Sequence, residues 1–216
     1  MKNKEIELFR ITHIDNIPHI WQNGITHKNS KSSNYKYINI GDSSLVSARE
    51  KKEVRITNGG SILIKTIKLG DYIPFYFGVR MPMLYVIQHG GNSVEKARNP
   101  QEIVYIVCNL SEIIKLNIEF YFSDGHATNN LTTFYDKNFI EQIENILDWE
   151  AINSQYWGGE ENLEIKWKKQ AEFLIKGDLP KSVIKRFICY NEESKNKLQN
   201  FNINANIIQI NPNAYY

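Results

Sequence analysis

Cysteine is nearly missing from this chain: Cys108 and Cys189 are the only two in 216 residues. Two cysteines cannot form a disulfide framework or a metal-ligand set. Cys108 closes the apolar run Ile103-Val104-Tyr105-Ile106-Val107, so a buried thiol is expected there. No apolar run approaches the length needed to span a bilayer. The start, Met1-Lys2-Asn3-Lys4-Glu5, is charged and lacks the apolar stretch of an export signal, so a cytoplasmic location with no membrane attachment is expected. An excess of positive charge is also lacking. The 26 Lys and Arg stand against 24 Asp and Glu, a net charge of +2, so any nucleic-acid site has to be a local patch whose binding falls as salt rises. No GxGxxG, P-loop, HExxH, GxSxG or CxxC pair occurs, which argues against Rossmann enzymes, kinases, zincins and the common hydrolases.

What is present is globular. Hydrophobic residues make up 42% and aromatics 12%, with 12 Tyr and 10 Phe, a composition able to build one ordinary core and also to stack on bases. No linker or internal repeat divides residues 1–216, and one domain is expected.

Asp15 reads as the N-cap of a first helix, with Pro18 in its opening turn, Ile17, Ile20 and Trp21 at helical spacing, and Gly24 as the stop. Residues 26–42 read as a long polar loop, the kind that often carries function. Asp42 then caps a short helix with Leu45, Val46 and Arg49. Strands are expected over Ser61 to Ile67, Tyr72 to Phe77, Met83 to Ile87, Ile103 to Val107 and Ile118 to Phe122. Helices are expected over Phe139 to Leu147 and Lys166 to Gln170, followed by a strand at Ala171 to Ile175. The tail alternates: Ile184 to Tyr190, a helix over Glu192 to Leu198, then Ile203 to Ile210. Short strands and helices in irregular order indicate the α+β class.

Glu172 is the most informative residue from pattern alone. In Ala171-Glu172-Phe173-Leu174-Ile175 it shares a strand face with Leu174. Such a carboxylate is paired, or exposed in a cleft with a raised pKa, or simply lies in solvent on an edge strand. Pro74, within Asp71-Tyr72-Ile73-Pro74-Phe75-Tyr76-Phe77-Gly78, donates no hydrogen bond and suggests a sheet edge or bulge. Tyr76 beside it either lines a flat pocket or is a core tyrosine. Arg49, in Arg49-Glu50-Lys51-Lys52-Glu53, reads as part of a solvated helix end. His13 and His126 have ordinary accounts at a helix start and a turn. These features describe an aromatic α+β domain with a cleft and one odd carboxylate, and they name no reaction.

Taken together the motifs go further. Arg10-Ile11-Thr12-His13-Ile14-Asp15-Asn16-Ile17, Ile38-Asn39-Ile40-Gly41-Asp42 and Arg49 come first. The run Asp71 to Gly78 follows, with Arg80, Pro82, Met83 and Leu84, then Phe122-Ser123-Asp124-Gly125-His126. Leu147-Asp148-Trp149, Gln170-Ala171-Glu172-Phe173-Leu174-Ile175, Cys189-Tyr190 and Tyr215-Tyr216 complete the series. In order and spacing this series resembles the DarT family across essentially the whole chain. The resemblance implies an ADP-ribosyltransferase-like split mixed sheet that holds NAD⁺ as co-substrate, with no metal. It implies a toxin that transfers ADP-ribose to thymidine in single-stranded DNA, releases nicotinamide and blocks replication, and is countered by a macrodomain antitoxin of the DarG type. It assigns catalysis to Arg49 and Glu172. It assigns NAD⁺ contacts to Arg10, Ile11 and Thr12 on the first strand, to His19, His27 and Arg49, and to Tyr76 and Met83 at the nicotinamide. The loop from Lys36 to Lys51 would fold over NAD⁺, and the segment from His126 to Glu172 would present DNA, with His126, Tyr135 and Trp157 as contacts. Transfer to RNA or guanine, and a catalytically silent single-strand binding module, are the rival readings.

Overall fold

The computed structural model describes residues 6–91 and 93–216, and the charged start Met1 to Glu5 lies outside them. The chain begins with strand β1 (Glu7–His13), helix α1 (Ile17–Asn23) and helix α2 (Ser43–Lys51). Strands β2 (Glu53–Ile56), β3 (Lys65–Lys68) and β4 (Tyr72–Tyr76) follow, then helix α3 (Pro82–His89). Next come β5 (Ile103–Asn109), α4 (Leu110–Lys115), β6 (Phe120–His126) and β7 (Phe134–Tyr135). Three short helices, α5 (Ile143–Ile146), α6 (Trp149–Asn153) and α7 (Leu163–Lys168), lead to β8 (Ala171–Lys176). The chain closes with β9 (Ile184–Cys189), α8 (Glu192–Asn200) and β10 (Ile208–Ile210).

The strands form one mixed sheet in the order β10-β9-β5-β1-β4-β8-β6-β7-β2-β3. Most neighbours are antiparallel, while β10–β9 and β7–β2 are parallel. β5 explains why the middle holds. Its run IVYIVCN is buried at all but the last position, as a strand covered on both faces must be. Val104, Ile106 and Cys108 pack into one core, and Ile103, Tyr105 and Val107 into another with Leu84, Ile87 and Tyr215. Burial pushes the Cys108 thiol up to about 12, which makes it inert.

The sheet is split between β1 and β4. β1 pairs with β5 at every position from Glu7 to His13, yet it meets β4 only at Phe9↔Tyr76. Pro74 shows why the strands part. Its carbonyl accepts from Arg10 Nη1 at 3.0 Å, so its own nitrogen, which carries no hydrogen, faces the same gap. A proline sits in the middle of the strand order because that side of β4 is an internal edge.

Four elements differ from the sequence reading. Of the expected strand Ile203 to Ile210 only Ile208–Ile210 forms, after a 3₁₀ turn at Ala205–Ile207. Met83 to Ile87 is not a strand but the body of α3, with Pro82 in its first turn, Leu84 and Ile87 buried three apart, and Gly90 at φ 76° as the stop. An apolar run this short fits either period, and tertiary packing decided it. Ser61 to Ile64 is an exposed turn, so the strand expected from Ser61 is only Lys65–Lys68. The helix over Phe139 to Leu147 is a 3₁₀ segment followed by one α-turn. Asp15 does not cap α1: it lies in a 3₁₀ turn, Ile14–Asn16, capped by His13, whose Nδ1 accepts from the Asp15 N–H at 3.2 Å, and the N-cap of α1 itself is Asn16, without a side-chain bond. Asp42 caps α2 as expected, accepting from the N–H groups of Ser44 and Leu45. No helix among the described residues is long and apolar enough to cross a membrane.

Candidate active site

The split opens into a cavity of about 440 Å³, within the range of small-molecule sites. β1 contributes Arg10 and Ile11, β4 contributes Pro74 and Tyr76, α3 contributes Met83 and Ile87, and β8 and β6 contribute Glu172 and His126. The loop of residues 39–42 and helix α2 cover it, with Ile40, Leu45 and Arg49 turned inward. That cover is tied down from below. Asn16 donates to Thr12 Oγ1 and to the Ile38 carbonyl and accepts from the Ile38 N–H, while Thr12 Oγ1 meets the Tyr37 hydroxyl at 3.1 Å. Burial alone would raise the Asp42 carboxyl. Hydrogen bonds from the Ser44 hydroxyl and the N–H groups of Leu45, Ser93 and Ser44 outweigh it and hold the group below its ordinary range.

Glu172 lies on an interior strand and is 1% exposed, which excludes the solvent-facing reading. Its Oε1 accepts from Arg49 Nη1 at 2.9 Å and from the Ala127 N–H at 3.1 Å, while Oε2 lies in ion-pair contact with the same Nη1 at 2.8 Å but accepts no hydrogen bond. Its own N–H donates to Ser123 Oγ, whose hydroxyl donates to the Gly125 carbonyl. The glutamate is thus fixed through backbone and side chain. Arg49, which in sequence looks like one charge among many, turns inward from the last turn of α2 across a gap of 123 residues. Its Nη2 is buried without a hydrogen-bond partner, and the side chain as a whole lines the cavity.

The surroundings set the protonation states. Burial lowers the His126 pKa; the Glu172 charge opposes this and the Arg49 charge adds to it, so the imidazole is neutral at neutral pH. Burial raises the Tyr76 hydroxyl, as does the Glu172 charge, against Arg49 and Arg10; it stays a protonated donor.

Of the residues singled out from sequence, Arg10, Ile11, His27, Arg49, Tyr76, Met83, His126 and Glu172 converge on this cavity. His27 Nε2 donates to the Gly70 carbonyl at 2.9 Å while its Nδ1 accepts from the Asn29 N–H. Thr12 is fully buried behind the wall. His19 stands on α1 away from the cavity lining. Tyr135 stacks on Phe122 at 5.2 Å between ring centres, and Trp157 meets Tyr85 and Tyr216; neither lines the cavity. Two glycines that read in the sequence as turn and motif positions also set close approaches. A Cβ on Gly70 would lie 2.6 Å from the Glu50 carbonyl oxygen, so only glycine lets the end of α2, and with it Arg49, sit this close. A Cβ on Gly125 would lie 2.2 Å from Trp167 Nε1, the ring that covers the strand beside His126. A glycine beside a polar residue type at a strand end was the only signal for the second.

A mixed sheet split in its middle, with a fixed glutamate on one flank and an arginine brought over the gap, defines an ADP-ribosyltransferase fold. The chain belongs to the DarT family: the family model described as "ssDNA thymidine ADP-ribosyltransferase, DarT" matches residues 9–216. A DNA ADP-ribosyl transferase of Escherichia coli O127:H6 is 35% identical over 93% of this chain and 87% of its own length. One from Thermus sp. (strain 2.9) is 32% identical over 86% of this chain and 81% of its own. The solved structure of Thermus sp. 2.9 DarT in complex with ADP-ribosylated ssDNA superposes with a TM-score of 0.82 at 26% identity, covering 98% of this chain and 97% of that one. The same protein in complex with NAD⁺ gives 0.77 over the whole of both chains. A DNA ADP-ribosyl transferase–DNA ADP-ribosyl glycohydrolase fusion protein of Thermosipho africanus is 28% identical over 84% of this chain and 41% of the fusion.

Proposed function

We propose that this chain, acting as one domain in the cytoplasm, transfers ADP-ribose from NAD⁺ to thymidine in single-stranded DNA. The observation that carries the reading is the Arg49–Glu172 pair at the split of the sheet, both side chains lining the cavity. In the reaction the bond between ribose C1′ and nicotinamide breaks, and its electron pair leaves with nicotinamide. A nitrogen on the pairing edge of thymine forms the new bond to C1′ and gives up its proton to the solvent. NAD⁺ is the co-substrate and is consumed.

Positive charge develops on the ribose as the bond breaks. A carboxylate fixed in advance within a largely water-excluded cavity stabilises that charge without reorganisation, and this is the role of Glu172. The Arg49 fork suits a pyrophosphate, and its charge favours thymine without its proton. Arginine itself remains protonated, so it acts by its field rather than by taking the proton. Arg10, Ile11 and His27 hold the cofactor from the β1 side, with Thr12 fixing the cover through Tyr37. Tyr76 and Met83 wall the nicotinamide, and residues 36–51 fold over it. His126, neutral and beside Glu172, is the group nearest the incoming base, and Tyr135 and Trp157 are contacts farther along the strand.

Such a product blocks replication, which makes the chain a toxin. The Thermosipho fusion joins a transferase to a DNA ADP-ribosyl glycohydrolase in one polypeptide. A DarG-type macrodomain antitoxin is accordingly the partner here. The test is to incubate the protein with NAD⁺ and matched DNA and RNA oligonucleotides that differ only in base content, and to read the mass gained. One ADP-ribose per strand on thymine-containing DNA is expected. Gain on RNA or on thymine-free DNA overturns the assignment in favour of the RNA or guanine reading, and no gain on any strand favours the silent binding module.

Arg49→Ala is expected to weaken NAD⁺ binding and to suppress toxicity in cells, and Arg49→Lys to restore little of either. Lysine keeps the charge but cannot bond Glu172 and a second group through one rigid plane. Isothermal titration of NAD⁺ against both variants decides this, and near-normal affinity in Arg49→Lys means that Arg49 serves only as a point charge.

A further inference from the structure

Helix α3 has a second working face. Met83 and Ile87, four apart, line the cavity. Tyr85 and His89, also four apart, lie on the outside, their rings stacked at 4.1 Å and 19°. Tyr85 is 42% exposed, a large fraction for an aromatic ring already in a stack. Trp157 and Tyr216 stand edge-on to it, at 5.7 and 5.3 Å between ring centres, and Trp157 Nε1 donates to the Tyr216 hydroxyl.

Two cations border these rings, and the Arg80 charge reaches a third, the buried Lys169. Lys166 Nζ lies 5.5 Å from the centre of the Trp157 ring, and the Arg80 guanidinium lies 4.3 Å from that of Tyr216. Lys169, only 4% exposed, donates to the Ile152 carbonyl at 2.7 Å. Arg80 donates to the Tyr215 carbonyl, while its Nε is buried without a partner. None of the three makes an ion pair among the described residues, because the nearby carboxylates of Asp148 and Glu164 are both taken by Lys168. Burial, with the Arg80 charge adding to it, presses the Lys169 pKa down to about 8. Arg80 also holds φ 54°, a left-handed conformation that is strained for a residue with a side chain and is kept by its N–H bond to the Tyr105 hydroxyl. In a protein whose net charge is only +2, two cations without an ion pair against an open aromatic surface are a local concentration. Stacking rings bordered by unpaired positive charge are what a single strand needs when it is held without regard to sequence.

We propose that the outer face of α3 is a second holding site for the DNA strand. A base stacks on the Tyr85–His89 pair, Lys166 takes the adjoining phosphate, and Arg80 and Lys169 supply positive potential beneath. A helix is about 10–12 Å across, so this base lies a few nucleotides from the one that reacts inside the cavity. The site rests on the DNA-directed reading above.

The test compares transfer to a 12-nucleotide single strand by the wild type, Tyr85→Ala, Tyr85→Phe and Lys166→Ala, with NAD⁺ affinity measured alongside. Tyr85→Ala is expected to raise KM for the strand roughly 5- to 150-fold, the loss of one stacked base, with kcat and NAD⁺ affinity at wild-type values and Tyr85→Phe close to wild type. Lys166→Ala is expected to reduce the slope of log affinity against log salt by about 0.7, one phosphate on a single strand. On a trinucleotide centred on the acceptor the four proteins are expected to perform alike. Unchanged KM in Tyr85→Ala together with an unchanged salt slope in Lys166→Ala overturns the site. So does a loss equally large on the trinucleotide, which would place the effect in the cavity. If the wild type transfers to no single strand, the reading on which the site rests has failed instead.

Discussion

Glu172→Gln is expected to lose at least about a hundredfold in transfer rate while the protein stays folded and still binds NAD⁺. Glutamine has the shape of glutamate and keeps an oxygen for the Ala127 N–H and for Arg49, so the bonds seen at 3.1 and 2.9 Å have a successor. What is removed is the charge, which opposes the positive charge that builds on the ribose. Glu172→Ala is the harsher variant. It leaves the Arg49 guanidinium, 17% exposed, with no carboxylate, and a buried charge without its partner destabilises the fold. A thermal melt is therefore recorded for both, and the glutamine variant carries the conclusion about chemistry. A folded Glu172→Gln protein that modifies DNA at the wild-type rate would falsify the catalytic role of this carboxylate.

The Glu172 position was legible from pattern because strand alternation is a local rule. A charge on the same face as Leu174 in an apolar strand announces itself without knowledge of the fold. Its partner was not legible. Arg49 stands among Glu50, Lys51 and Lys52, and only the return of β8 to the middle of the sheet brings Glu172 beneath it. Pairings over such separations leave no mark in composition or periodicity. The family resemblance supplied Arg49, and the geometry then gave it a physical setting. Pro74 was half legible: its missing donor correctly indicated an edge, though the edge proved to be internal, facing the split. Met83 to Ile87 shows the opposite limit. Five apolar residues satisfy a strand and a helix alike, and what settled the matter was Pro82 in the first turn and the burial of Leu84 and Ile87 on one side. Tyr135 and Trp157, chosen as stacking residues, stand outside the cavity, beside Phe122 and beside Tyr85 and Tyr216. The toxin reading and its substrate came from resemblance throughout.

An oligonucleotide modified as a single strand is expected to be spared when annealed to its complement, with initial rates at least about a hundredfold apart. The reacting nitrogen of thymine lies on the pairing edge, which a duplex conceals. Exposing it requires unpairing and unstacking at a cost of a few kcal/mol, which converts to a factor of that order. The cavity, about 440 Å³, is lined by Arg10, Tyr76, Met83, His126 and Glu172 and must admit both NAD⁺ and one base, so an intact base pair has no room there. Two further contributions favour the single strand. Each base stacked on an aromatic ring adds roughly 1–3 kcal/mol, and a duplex has no free base faces to offer. Lys166 would hold either form through its phosphates, so it cannot supply the discrimination. The measurement is mass gain against time for the same strand, alone and annealed, at one salt concentration, since the phosphate contribution changes with salt. Equal rates on both forms would mean that the enzyme opens duplexes or attacks another edge of the base, and the assignment of the pairing-edge nitrogen would have to be given up.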